Sequence, residues 1–153
     1  MRRTLLLCGV LAGLLTLSTP VGAAGTIAQS YVSVGNVRKV VFTCTADAAD
    51  GSFPSTALTT KFEGRLIAIE TNPGATAPTD NYDIVLTDAQ GLDVLQGVGA
   101  NRDTANTEMA NIIFASTSLH PVVDESDTLT LAITNNAVNS ATIVIVVYYA
   151  LGG

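Results

Sequence analysis

The chain predicts an all-β fold, an antiparallel β-sandwich of jelly-roll-like form with about eight strands, and three observations carry that expectation. Apolar residues alternate with polar ones in short runs, the period of a strand with one buried face rather than of a helix. Gly, Pro, Asn and Asp punctuate these runs at spacings suited to a sandwich or barrel. Charged residues make up 13% and aromatics 5% of the 153 residues, while Thr, Ala, Asn and Val are abundant, a mixture that favours strands and polar turns over amphipathic helices.

Residues 1–23 stand apart from the fold. Arg2 and Arg3 precede an apolar run over 5–17, followed by Pro20 and Val21-Gly22-Ala23, the tripartite form of a secretory signal peptide. Cleavage is expected after Ala23, which leaves 24–153 as a single sandwich domain with one core. The alternative is a membrane anchor, but the run is shorter than the roughly 20 apolar residues of a spanning helix, and Gly9 and Gly13 interrupt it. No stable membrane insertion of the mature domain is therefore expected. Cys8 lies inside the run, behind Leu7 where a lipobox requires a small residue, so a lipoprotein reading fails as well.

The strands follow in order. An early one is expected around 29–34. In VRKVVFTCTA, Val40, Phe42, Cys44 and Ala46 point one way, and Lys39, Val41, Thr43 and Thr45 the other. Residues 48–60, rich in turn formers, read as a surface loop. A strand over 62–71 ends at Asn72-Pro73-Gly74, where proline stops the ladder. Tyr82, Ile84 and Leu86 alternate up to the turn Asp88-Ala89-Gln90-Gly91, and residues 92–95 return, a β-hairpin. Residues 97–106 form a polar connection, and 109–116 another strand. DTLTLAIT places Leu129, Leu131 and Ile133 on one face and Thr128, Thr130 and Thr134 on the other, before a turn at 135–140. A last strand, TIVIVVYYAL, ends the chain.

That last strand is apolar on both faces. Ile143, Ile145, Val147 and Tyr149 form one side, and Val144, Val146 and Tyr148 the other. A two-layer sandwich buries one face of each strand, so the second needs a loop, a helix or another subunit over it. Val144, Val146 and Tyr148 are the candidate subunit interface.

Residues 79–108 gather Asp80, Asp83, Asp88, Asp93, Asp103 and Glu108 with Arg102 alone to answer them, which raises the question of a metal or catalytic site. The acids fall at turns and on the polar face of the hairpin, where Asp bonds nearby backbone amides, and a calcium loop would need ligands at alternate positions of one tight loop. The acidic-turn reading is the favoured one, with no metal site and Arg102 pairing with Asp103 or Glu108. The sole histidine, His120, could be assembled with Ser118 and Asp124 into a triad, but no nucleophile-elbow glycine motif accompanies them. One His and one mature Cys cannot make a zinc site, and GVGAN lacks the Lys-Ser/Thr continuation of a phosphate loop. Neither catalytic residues nor a cofactor are expected. Loss of Arg2 and Arg3 leaves five basic residues against 13 acidic ones, a net charge of −8, which disfavours nucleic acid and anionic lipid. Cys44, with no second cysteine in the mature chain, reads as a buried small hydrophobe, and stability must come from the core or from assembly.

PGATAPTDNYDIVLTDAQGLDVLQGVGANRDTANTE and the ending DTLTLAITNNAVNSATIVIVVYYA carry a resemblance. Together they look like a family of small virion proteins encoded among the structural genes of tailed bacteriophages, over residues 26–149. The most specific parts are Pro78-Thr79-Asp80-Asn81-Tyr82-Asp83, Gly91-Leu92-Asp93 and Asn101-Arg102-Asp103-Thr104. The resemblance implies a sandwich that decorates a particle or otherwise sits on its surface, without catalysis. A homo-oligomer docked on other virion proteins is the expected assembly, a closed trimer being one form it could take.

Residues 1–23 depart from that pattern, since virion proteins assemble in the cytoplasm. Export would instead suit a secreted or cell-surface protein, an adhesin or pilus-type subunit. Pilus subunits of the chaperone-assisted kind share the leader, the sandwich and an apolar C-terminal strand with tyrosine near its end, but usually contain a disulfide, which Cys44 alone cannot form. A carbohydrate-binding sandwich would expect aromatic platforms, and the chain has no Trp.

Overall fold

The computed structural model describes residues 22–61 and 63–151. Most of the leader-like segment, and Phe62 at the expected start of a strand, lie outside the described residues. The described chain holds nine strands and no helix: β1 (Thr26–Val34), β2 (Val37–Thr45), β3 (Thr56–Ala57), β4 (Gly64–Pro73), β5 (Asp83–Thr87), β6 (Glu108–Asn111), β7 (Val122–Val123), β8 (Thr130–Thr134) and β9 (Thr142–Ala150). They form an antiparallel sandwich of two sheets. The larger runs β1-β2-β9-β4-β6, with β7 paired to the start of β4, and the smaller runs β3-β8-β5.

The pairing is nested. β2 pairs with β9 and β3 with β8; β4 pairs with β6, and beyond β5 a single bridge joins Thr87 to Asp93. From β2 to β6 the chain alternates between the two sheets strand by strand. A long hairpin rolled over on itself gives this order, which is that of a jelly roll. β1 is added outside it as a hairpin with β2, closed by Gly35 (φ 60°) and Asn36.

The core of β2, β5, β8 and β9 follows period-two alternation, while a bulge between Leu66 and Ala68 in β4 shifts the parity so that Leu66 and Ile69 share the inner face. Val40, Phe42 and Cys44 of β2, Leu66 and Ile69 of β4, and Ile143, Ile145, Val147 and Tyr149 of β9 line the inner face of the large sheet. Ile84 and Leu86 of β5 and Leu131 and Ile133 of β8 face them from the small sheet. These side chains exclude water between the sheets, and each fully buried one contributes roughly 1.5–3 kcal/mol.

Four expected elements differ. The strand expected to end at 71 runs on through Asn72 and Pro73, which lie opposite Val144 and Ile143, and Gly74 N then donates to Thr142 O (2.8 Å), so the proline does not stop the ladder. The loop expected over 48–60 contains β3, two residues long, which pairs with Thr130 and Leu131. The strand expected over 109–116 stops at Asn111: one more ladder bond runs from Ile112 N to Ile67 O (2.9 Å), and then Ser118 (φ 56°) turns the chain, its amide and that of Thr117 donating to Phe114 O. The return arm of the acidic hairpin is not a strand. Asp93 takes the backbone's place as acceptor, receiving the amides of Leu86 (3.3 Å), Leu95 (3.0 Å) and Gly97 (2.9 Å), and Gln96 and Gly97 adopt positive φ. Side-chain capping of this kind competes with a ladder. The segment nonetheless covers the free edge of β5, since Val94 N donates to Leu86 O, Ile84 N to Gly99 O and Arg102 N to Tyr82 O. Val94 and Leu95 are buried in the core beneath it.

Candidate functional site

The acids of 79–108 are engaged by their own turns. Asp88 Oδ1 accepts the amides of Gln90 (2.9 Å) and Leu92 (2.8 Å), closing the turn at Gly91. Asp83 accepts Asn101 N (2.8 Å) and the Asn135 side-chain amide. Asp103 accepts Ala105 N and Asn106 Nδ2, the Asn106 contact first among the bonds that hold its carboxyl below the usual aspartate range. Asp80 lies by Asn81. Arg102 pairs with Glu108 at 3.6 Å, and the same carboxylate accepts Asp103 N (2.8 Å). No group of three or more metal-ligating side chains occurs among the described residues. This stretch does architectural work, shaping the cover over the β5 edge.

His120 Nδ1 lies 2.7 Å from Ile112 O. A carbonyl only accepts, so Nδ1 carries the proton, and the ring is tied to the backbone rather than to Ser118 or Asp124. The Asp124 carboxylate accepts from the amide and hydroxyl of Ser126. Cys44 is 1% exposed, and burial pushes its thiol up to about 12, far from a nucleophilic thiolate at neutral pH. Buried Tyr82 is likewise raised to about 12, chiefly by desolvation, with the Thr71 hydroxyl beside it acting in the opposite sense. Neither of these two hydroxyls forms a hydrogen bond of good geometry.

The feature with the most unspent surface chemistry is the outer face of the large sheet. Register places Val32, Lys39, Tyr148, Ala68 and Asn111 in one row across it. Ser30, Val41, Val146, Glu70 and Met109 form the next. Val34, Val37, Ala150, Arg65 and Val122 close one end. Five of the large apolar side chains that remain exposed, Val32, Val34, Val37, Met109 and Val122, stand on this one face. Val32, Val34 and Val37 cluster at one corner of it, while Val122 and Met109 stand on its other side, beyond Arg65 and Glu70.

The three residues picked out from the last strand sit at its centre, because β9 lies between β2 and β4. Val144 and Tyr148 are half-buried, while Val146 is 8% exposed within the single chain. Val146 and Ala68 are buried without belonging to the core cluster, so their cover comes from the outer surface itself. The Tyr148 hydroxyl donates to Glu70 Oε2 at 2.6 Å, and Lys39 Nζ lies 5.8 Å from the centre of the Tyr148 ring, a cation over an aromatic face. Glu70 raises the Tyr148 pKa, first through that hydrogen bond. Sequence reasoning found the β9 triplet through its two-faced pattern. It missed Val32, Val34, Val37, Met109 and Val122, whose common face exists only once strands distant in sequence are in register.

A cleft of about 330 Å³ opens at the end of the β1–β2 hairpin, lined by Tyr31, Arg38, Lys61, Glu63, Glu125 and Tyr149 among others. Arg38 Nη1 donates to Ser33 Oγ at 2.8 Å. The two cations there are matched by two carboxylates, the balance of a solvated rim.

Comparison with protein-family models, with curated proteins and with solved structures finds no match to this chain.

Proposed function

We propose that the chain is a non-enzymatic structural subunit of a tailed-bacteriophage virion, a capsid decoration or other particle-surface protein that assembles through its large sheet. The observation that carries this reading is the outer face of the large sheet, where Val32, Val34, Val37, Met109 and Val122 are exposed on the two sides of β9 and its Val144, Val146 and Tyr148. A surface of that kind is a liability on a free monomer and an asset on an assembling one. The engagement of the acids by backbone amides, of His120 by a carbonyl and of Cys44 by the core supports a structural role over a catalytic one. The resemblance of residues 73–108 and of the C-terminal strands to phage virion proteins supplies the particle.

A second reading, a secreted adhesin or pilus-type subunit, is favoured by the leader-like segment over 1–23. Density-gradient purification of particles followed by mass spectrometry decides between them. Peptides of this chain co-sedimenting with particles in fixed ratio to the major capsid protein are expected. Their absence from particles, with the protein recovered from the medium or cell surface beginning at Ala24, would favour the adhesin.

A further inference from the structure

We infer that β1 pairs edge to edge with β1 of a second copy, antiparallel about a two-fold axis through Ser30, so that the two large sheets join into one. The inference rests on the reading of this chain as an assembling subunit, and it names the partner, the symmetry and the register.

The backbone makes the first argument. β1 is an edge strand of nine residues, and among the described residues its main chain bonds β2 alone. It carries no charge and no proline, and its register with β2 runs from Thr26 to Val34 without a bulge, so none of the usual devices blunts it. Elsewhere the described fold leaves little edge: β6 has four residues, β3 and β7 two each, and residues 93–102 cover β5. Val34 and Val37 flank the two-residue turn at Gly35-Asn36 and exchange both ladder bonds, so every second residue back from Val34 bonds β2. Ile27, Gln29, Tyr31 and Ser33 therefore turn their backbone N–H and C=O groups outward, where only another extended strand can satisfy them all.

Length and symmetry select the partner. A two-fold axis through Ser30, the middle of the strand, sets Ile27 against the partner's Ser33 and Gln29 against the partner's Tyr31. All the outward groups of both copies are then engaged, in about eight main-chain hydrogen bonds. Moving the axis to Gln29 leaves Ser33 out, and moving it to Tyr31 leaves Ile27 out. A head-to-tail contact of β1 with β6 would match nine residues to four and leave one β1 edge open, whereas β1 on β1 closes both long edges at once. Side chains agree with this register. On the outer face Val32 meets the partner's Ala28 and Val34 the partner's Thr26, which covers part of two valines exposed in the single chain. Arg38 and Lys39, the only charged residues of β1 and β2, stand at opposite ends of the joined ladder in the two copies, so no like charges of these strands oppose each other.

Sedimentation velocity on the full chain, expressed with its own N-terminal segment so that any processing takes place, should show a concentration-dependent dimer. Ser30→Lys, at an exposed position that leaves the core untouched, should give monomers with an unchanged β-type circular dichroism spectrum. Cysteine pairing tests the register. Ser30 and the partner's Ser30 form a non-hydrogen-bonded pair, about 4.5 Å between Cα atoms, which a disulfide can span. Ser30→Cys should therefore give a covalent dimer on mild oxidation. Val32→Cys and Ala28→Cys should each stay uncrosslinked alone and cross-link when the two variants are mixed, while buried Cys44 takes no part. A monomer at every concentration, a trimer, a dimer that survives Ser30→Lys, or cross-linking that departs from this register would each overturn the inference. None of those results touches the particle reading, which fails separately if purified particles lack the protein.

Discussion

Replacing neighbouring residues of β9 by alanine probes the two faces of the large sheet in one experiment. Ile145 is fully buried against the core, and Ile145→Ala removes three carbons, about 2.4 kcal/mol of transfer free energy at about 0.8 kcal/mol each. The cavity left behind adds to this, for a total of about 3–4 kcal/mol. Val146 points the other way but is 8% exposed, so Val146→Ala, with two carbons lost, should cost about 1.5 kcal/mol. Half-buried Val144 should lose about 0.8 kcal/mol or less. Urea unfolding followed by circular dichroism, at dilutions where the chain is monomeric, gives all three from shifts in midpoint at constant m. The order 145, 146, 144 is expected. An Ile145→Ala cost below about 1 kcal/mol would refute the assignment of the inner face. A Val146→Ala cost that vanishes on dilution would show that its cover comes from another subunit and not from its own sheet.

Two further predictions concern the turns and the pH range. A Cβ on Gly99 would sit 2.1 Å from Ile84 O, at the point where Ile84 N donates to Gly99 O, so Gly99→Ala should destabilise by about 2 kcal/mol or more by thermal melting. At Gly35, where a Cβ meets nothing within 4 Å, alanine should cost only its left-handed backbone, about 1 kcal/mol. Asp50, Asp103 and Asp124 hold their protons less tightly in the folded chain than in the unfolded one, each mainly through a side-chain hydrogen bond. Their stabilisation is present above the ordinary aspartate value of 3.8 and is lost as pH falls through their lower folded values. Cys44 and Tyr82 are raised, so their contribution is intact below their ordinary values of 9.0 and 10.0 and is lost as pH rises toward about 12. Melting temperature against pH should fall at both ends; a flat alkaline limb would contradict the burial of Cys44 and Tyr82.

Much of the sandwich is written locally. The alternation in VRKVVFTCTA and DTLTLAIT fixes which side chains turn inward, because strand geometry sends successive residues to opposite faces whatever they pair with; in TIVIVVYYAL, apolar on both sides, it fixes only which residues share a face. The turn at Asp88-Ala89-Gln90-Gly91 is equally local, since an aspartate can cap the amides that follow it and glycine accepts a positive φ. The doubled apolar character of β9 is also plain in the sequence, and it singled out Val144, Val146 and Tyr148.

Only the tertiary structure decided what those residues meet. Sequence alone gives no reason for residues 92–95 to abandon strand form, because Asp93 acts there by capping amides that include Leu86 across the bridge. Nor does it set β9 between β2 and β4, a choice made by the long-range nesting of the jelly roll, which buries Ile145 in the core and gathers Val37, Lys39, Glu70 and Met109 around the outer side of the same strand. Period-two alternation assigns each side chain a face, but the composition of a face is summed over strands far apart in sequence, and pairing alone brings them together.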